Sequence, residues 1–141
     1  MIEIRSYSKD DYSELVKLYK NSSLYGGVCD ENRDAEEKLA RRIEADPDAI
    51  LIAELGGQVV GTVSLIEDGR VAWLFRFAVA EIPEEQDVAQ VLLHAASTAL
   101  NTKGHHQVLV YTPIDNQRLK ARYEGLGFTK GNDFTCFWKD I

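Results

Sequence analysis

Apolar and polar positions change period several times along the chain, and the changes mark out its elements. Ile2-Glu-Ile-Arg-Ser6 alternates with period two, the pattern of a strand with one buried face. Ser8 and Asp11 have the spacing of a capping box with Asp in place of Glu, and predict a helix start. Tyr12, Leu15, Val16 and Tyr19 then fall on one face of that helix. A loop follows over 21–31, rich in Ser, Gly and Asp and containing Tyr25, Gly26, Gly27 and Cys29. A second helix is expected over about 32–45. Its apolar stripe (Ala35, Leu39, Ile43) is narrow and ringed by Glu36, Glu37, Lys38, Arg41 and Arg42, which predicts a surface helix with one shallow contact line. Asp46-Pro47-Asp48 ends it, because the residue before proline is driven out of the α region.

Ile50-Leu-Ile-Ala-Glu-Leu55, then Gly56-Gly57, then a β-prone run over 58–66 read as a tight hairpin. Glu67-Asp68-Gly69-Arg70 is a second turn that returns the chain into an apolar run over 71–79, giving a three-stranded antiparallel meander. The next stretch, Val79-Ala-Glu-Ile-Pro-Glu-Glu-Gln-Asp-Val-Ala-Gln-Val-Leu-Leu93, leaves a strand, crosses an acidic loop and enters a helix. Val88, Val91, Leu92, Ala95, Ala96, Ala99 and Leu100 form a wide, alanine-rich stripe suited to close packing on a sheet, and Gly104 is a stop signal. Gln107-Val-Leu-Val-Tyr111 reads as a strand buried on both faces. With no hairpin between them, it is expected to lie parallel to the 71–79 strand. After Pro113 a helix is expected over 116–126, ended by Gly127, and a last strand over 135–139.

Composition narrows the function classes. The chain has 141 residues, 45% apolar and 28% charged, and reads as one domain, 1–141, with no linker or repeat. A net charge of −7 argues against nucleic acid or an anionic membrane surface as partner, since both need clustered Lys and Arg. No apolar run reaches the length of about 18 residues that a membrane span needs, and Met-Ile-Glu-Ile-Arg lacks the layout of a secretion signal. Cys29 and Cys136 have no metal-ligand spacing and read as reduced thiols in a cytoplasmic protein. No metal site and no Ser/His/Asp arrangement is expected.

A strand running straight into a helix N-terminus is a place for anions, because unpaired N–H groups and the helix dipole converge there. This element order, together with Asn116-Gln-Arg-Leu-Lys-Ala-Arg-Tyr123-Glu-Gly-Leu-Gly127-Phe128, resembles the GNAT superfamily of acyl-CoA-dependent N-acetyltransferases. The match is an Asn, a Tyr seven residues on, and a Leu-Gly-Phe ending after a Val-rich strand. The resemblance implies an α/β (α+β) fold: a mixed, mostly antiparallel sheet of six to seven strands with four helices, in the order β-α-α-β-β-β-α-β-α-β. It implies acetyl-CoA as co-substrate and a primary amine, small molecule or peptide, as acceptor; a homodimer is allowed. The backbone of Phe77, Ala78 and Val79 would hold the pantetheine arm and the acetyl carbonyl. The N–H groups of Asp87, Val88 and Ala89 would meet the pyrophosphate, and Asn116 the CoA arm. Tyr123 would protonate the departing thiolate, which a phenol can do because it keeps its proton near neutral pH.

The loop departs from the family pattern of Gln or Arg, two residues, then Gly-x-Gly or Ala. Without gaps that pattern falls on Glu84-Glu85-Gln86-Asp87-Val88-Ala89, of which only Ala89 fits. Acids in a first helical turn also stabilise the helix through its dipole, which accounts for their presence without a ligand. The strand before the loop carries Arg76 as its only charge and offers no general base. Glu54 and Glu67 are substitutes from neighbouring strands, though each also fits a solvated position. His94, His105 and His106 read as surface residues. By the same resemblance, loop residues 22–30 and the helix that follows them would line the acceptor side. Two readings stay open: an acetyltransferase, and a non-catalytic member of the same fold that serves as a regulatory or interaction module with weak or no CoA binding.

Overall fold

Gly56 and Gly57 both adopt positive φ, 60° and 78°, as a two-residue hairpin turn matched to the twist of its strands requires. The computed structural model describes residues 1–22, 25 and 28–141. The glycine turn joins β2 (Ile50–Leu55) to β3 (Gln58–Glu67), with Leu55 opposite Gln58. A turn held by Asp68, whose carboxylate accepts the Arg70 N–H at 2.9 Å, returns the chain into β4 (Ala72–Val79). β1 (Ile2–Ser6) pairs antiparallel with β2, so the sheet order is β1-β2-β3-β4. The expected meander is therefore present.

Between β1 and β2 lie a 3-10 turn (Lys9–Asp11), α1 (Tyr12–Asn21) and α2 (Glu36–Ala45). The reach-back half of the capping box forms: the Ser8 N–H donates to Asp11 Oδ2 at 2.8 Å. The same carboxylate accepts both terminal nitrogens of Arg5 at 2.7 Å, and the guanidinium holds Asp11 below the ordinary carboxylate range. α2 starts four residues later than the pattern implied. Asp30 and Asp34 draw the preceding residues into turns, Asp30 Oδ1 accepting the Asn32 and Arg33 N–H groups at 2.9 and 2.8 Å. Such local side-chain bonds offer the backbone an alternative to helix.

Helices cover both faces of the sheet. On one face Leu15, Leu18, Tyr19 and Leu39 from α1 and α2 pack with Tyr7, Ala49, Ile50, Ile52 and Ala78. On the other lies α3 (Glu85–Thr102), which buries Val88, Ala89, Leu92, Ala96 and Leu100. Its approach is close at Gly61, where an added Cβ would sit 2.7 Å from Leu92 Cδ1 and 2.8 Å from Val88 Cγ1. α3 ends in a Schellman motif: Gly104 adopts φ 94°, its N–H meets Asn101 C=O at 2.9 Å, and the His105 N–H meets Leu100 C=O at 3.1 Å. Among the described residues no helix is long and apolar enough to cross a membrane.

The expected six to seven strands and their order are corrected here. Among the described residues there are four strands, and the elements run β-α-α-β-β-β-α-α. In the 107–111 stretch only Leu109 bridges, parallel to Trp73 as the crossover predicts. The Leu74 N–H donates to Leu109 C=O and the Leu109 N–H to Ala72 C=O, each at 2.9 Å. The α3 cap takes up the backbone as far as His105, and a turn closed by Asn116 N–H on Pro113 C=O follows, with the single bridge at Leu109 between them. Residues 135–139 form no strand; Phe134, Phe137 and Trp138 beside and within them are 75%, 90% and 82% exposed. An apolar pattern gives β-propensity, but a strand exists only where a neighbour pairs its N–H and C=O groups.

Residues 1–110 and 111–141 form two compact units. The second holds α4 (Gln117–Gly125), with Leu119 and Tyr123 buried. Cys29 is half-buried and Cys136 exposed, and both are free thiols.

Candidate active site

β4 changes character halfway along its length. Ala72 and Leu74 use their outer-edge backbone groups on Leu109, and no further bridge continues along that edge among the described residues. Opposite Val63, between the pairs Ser64–Phe75 and Thr62–Ala78, β4 inserts an extra residue. Arg76 occupies the bulge with φ 51°, the one positive value at a non-glycine residue among those described. A left-handed conformation costs an L-residue about 1–2 kcal/mol, so something must hold it. Arg76 Nε donates to both carboxylate oxygens of Asp34, at 2.9 and 3.0 Å, in a pair whose side chains are 11% and 3% exposed. Its guanidinium carbon lies 4.4 Å from the centre of the Phe75 ring. Bulges of this kind re-aim side chains and end pairing, and they recur beside active sites.

Beyond the bulge lie the three residues expected to hold a cofactor arm. Phe77 is buried and stacks on Tyr25 with ring centres 5.0 Å apart. Ala78 packs into the α1/α2 core. The N–H of Ala80 turns toward β3 and meets Val60 C=O at 2.8 Å. By the alternation of an antiparallel ladder, the N–H and C=O of Val79 point away from β3. Both are taken by one side chain: Ser22 Oγ donates to Val79 C=O at 2.7 Å and accepts the Val79 N–H at 3.2 Å. A cleft of about 320 Å³ opens beside this pair, lined by Leu18, Asn21, Ser22, Ala80 and Glu81 among others.

The start of α3 offers fewer donors than the sequence implied. The Val88 N–H already donates to Glu84 C=O at 3.0 Å, and Ala89 lies a residue further into the helix, so both side chains and both donors belong to α3 itself. Glu84 is the N-cap residue and makes no side-chain cap. The first-turn N–H groups of Gln86 and Asp87 are the ones that face outward at this end, beside the carboxylates of Glu85 and Asp87.

In the second unit, Asn116 caps α4: Oδ1 accepts the Leu119 N–H at 3.0 Å. Tyr123 is 5% exposed. The Leu-Gly-Phe ending has a plain physical role, a Schellman stop. Gly127 takes φ 95° and bonds Glu124 C=O at 3.0 Å, while the Phe128 N–H reaches Tyr123 C=O at 3.0 Å. The apolar contact that accompanies such stops is Phe128 edge-on to Tyr123, 5.3 Å between ring centres at 80°. Asn116 and Tyr123 thus sit at the two ends of a short helix whose start and stop each of them helps to make.

A sequence model of the acetyltransferase (GNAT) family matches residues 11–128. The chain belongs to the GNAT family. An acetyltransferase of Photorhabdus laumondii is 30% identical over 115 residues, covering 82% of this chain and 78% of that protein. Among solved structures, the PaiA N-acetyltransferase of Thermoplasma acidophilum in complex with coenzyme A superposes with a TM-score of 0.78 at 23% identity, over 94% of this chain and 93% of that one. AAC(6')-Iy in complex with a bisubstrate analogue gives 0.76 at 20% identity, over 100% and 99%. At these identities the structural likenesses speak for the GNAT fold.

The substitutes for a general base are engaged elsewhere in this GNAT chain. Glu54 is paired with Arg5 at 2.6 Å. Glu67 meets His105 Nε2 at 2.9 Å, a bond that holds the Glu67 carboxyl below its ordinary range. His105, expected at the surface, is 8% exposed, whereas His94 and His106 are exposed. Among the described residues no cluster of three or more His, Cys, Asp or Glu side chains could hold a metal ion. Of the expected acceptor-side loop, residues 23, 24, 26 and 27 lie outside the described residues. Sequence reasoning placed Ser22 and Tyr25 in the acceptor-side loop without their contacts on β4, and gave Asp34 no role. Arg76 carried a signal, a lone charge in an apolar strand that needs a partner if buried; nothing local pointed to Asp34.

Proposed function

We propose that residues 1–141 act as one acyl-CoA-dependent N-acetyltransferase domain that moves an acetyl group from acetyl-CoA to the primary amine of a small molecule or a peptide. The observation that carries this reading is the β4 edge. Among the described residues it has no bridge partner on its outer edge after Leu74, and it bulges at Arg76 and leads straight to the N-terminus of α3. A strand edge whose outward backbone groups are met by a side chain rather than by a neighbouring strand suits the amides of a pantetheine arm, and the Gln86 and Asp87 N–H groups suit its phosphates. Bound there, the thioester would supply an activated acyl group.

The chain's own residues have the following roles in this reading. The edge groups of Phe77 to Val79 align the arm, with Ala78 fixed by the core below. The first turn of α3 offers N–H donors to the pyrophosphate, and those of Gln86 and Asp87 are better placed than those of Val88 and Ala89. Asn116 orders α4 and meets the CoA arm, and the Tyr123 hydroxyl gives its proton to the thiolate. The acids of the loop oppose the phosphates. One carboxylate about 6 Å from a phosphate costs roughly 2–3 kcal/mol at an effective dielectric near 20, while each N–H to a charged group contributes about 1.5–3 kcal/mol. Binding is weakened rather than abolished. The relatives' names, which include aminoglycoside acetyltransferases, support an amine acceptor.

Titration calorimetry with acetyl-CoA tests the reading: micromolar affinity is expected, and no heat at millimolar acetyl-CoA removes it. Tyr123→Phe should then cut turnover while leaving the fold intact; unchanged turnover takes Tyr123 out of the mechanism. The three carboxylates at the start of α3, Glu84, Glu85 and Asp87, favour the second reading, a non-catalytic module, and the same calorimetry decides between the two.

A further inference from the structure

We propose that the Ser22 hydroxyl is an internal stand-in for the cofactor arm: it fills the β4 edge at Val79, and it must turn away for the arm to bind there. This rests on the reading above that the β4 edge receives CoA. A strand edge normally satisfies its N–H and C=O through two backbone groups of a neighbour. Here one hydroxyl serves both, donating to Val79 C=O at 2.7 Å and accepting its N–H at 3.2 Å. Serine can do so because its hydroxyl is donor and acceptor at once. Val79 is 0% and Ser22 3% exposed, so without the hydroxyl both backbone groups would be buried and unpaired, a costly state. Ser22 sits immediately after α1, in extended conformation (φ −80°, ψ 120°), and its own N–H is fixed to Leu18 C=O at 3.0 Å. The backbone is thus anchored, and a change of χ1 between staggered wells suffices to withdraw the oxygen. Ser22 also forms part of the wall of the cleft of about 320 Å³ beside Ala80 and Glu81, which gives an incoming arm a route to the bond.

The consequence is a trade between stability and affinity. Ser22→Ala should melt at lower temperature than the wild type and yet bind CoA about tenfold more tightly, equivalent to about 1.4 kcal/mol, since the arm no longer displaces the hydroxyl. Ser22→Cys, which keeps the side-chain shape with a somewhat larger atom and gives up most of the hydrogen-bond strength, should move both quantities in the same directions and serves if the alanine variant does not fold. Calorimetry with CoA and thermal melts of the wild type and the variants read both. A serine with only a structural role would lower stability and leave affinity equal or weaker, and that result overturns the proposal. CoA binding by the wild type without a gain in the variant also overturns it, and leaves the acetyltransferase reading in place. Binding by the variant but not by the wild type upholds it and removes the acetyltransferase reading for the natural chain. Absence of binding in both overturns it.

Discussion

Asp34→Asn tests most directly how the β4 bulge is held. The Asp34 carboxylate accepts Arg76 Nε at 2.9 and 3.0 Å and the Asp30 N–H at 2.8 Å, with side chains 3% and 11% exposed across the pair. Removing one partner of a buried ion pair leaves the other charge uncompensated and costs about 3–5 kcal/mol. This pair, with the Phe75 ring 4.4 Å from the guanidinium, anchors Arg76 in the left-handed region, so relaxation of the bulge can recover part of its strain of about 1–2 kcal/mol. A net loss of about 2–4 kcal/mol is expected. At about 3–4 °C per kcal/mol for a chain of this size, the melting temperature falls by roughly 6–16 °C. Urea unfolding gives the free energy, and a cycle with Arg76→Met and the double variant isolates the pair. The double variant should recover much of the loss, because a hydrophobic replacement of a buried pair is often neutral, with a coupling of about 2 kcal/mol. A loss under about 1 kcal/mol for Asp34→Asn, or strict additivity in the cycle, would refute the claim that the pair holds the bulge.

Three further perturbations follow from the geometry. Gly61→Ala places a methyl group 2.7 Å from Leu92 Cδ1 and 2.8 Å from Val88 Cγ1; a destabilisation of about 1–3 kcal/mol is expected from overpacking, and unchanged urea unfolding would disprove the contact between β3 and α3. Asn116→Ala removes the acceptor of the Leu119 N–H and should cost about 1 kcal/mol, with faster hydrogen exchange in the first turn of α4; Asn116→Ser should restore most of it. Arg5 holds the Asp11 carboxyl below its usual value of 3.8. A depressed carboxylate contributes stability above its unfolded pKa and loses it as pH falls through the folded one. Asp11→Asn should therefore be less stable than wild type at neutral pH, by about 1–2 kcal/mol after allowance for the exposure of Arg5. That gap should close below pH 3.8, and a gap constant down to pH 2 would disprove the pairing.

Much of the architecture was legible because it is encoded locally. The period-two run of Ile2–Ser6, the glycine pair at 56 and 57, and the alanine-rich stripe from Val88 to Leu100 each specify an element without reference to the rest of the chain. The Leu-Gly-Phe ending did so too, since Gly127 supplies a left-handed residue and Phe128 the contact on Tyr123. The strands expected at 107–111 and 135–139 were misjudged for the opposite reason: a strand depends on a partner that its own residues do not name. At 107–111 the partner is met at Leu109 alone.

The candidate site divides along the same line. Sequence by itself determined the family, the strand-to-helix passage at Val79–Glu85, the acids there, and the seven-residue step from Asn116 to Tyr123. Tertiary structure decided that Arg76 is paired and left-handed, that Asp34 is its partner across 42 positions, and that Ser22 closes the Val79 edge from 57 positions away. It also decided which donors at the start of α3 remain for an anion, since Val88 spends its N–H on Glu84. Local propensity and periodicity act over a few residues and are written in their order. Burial of a charge or of a strand edge is settled by groups brought together from distant parts of the chain, and only the folded backbone says which ones meet.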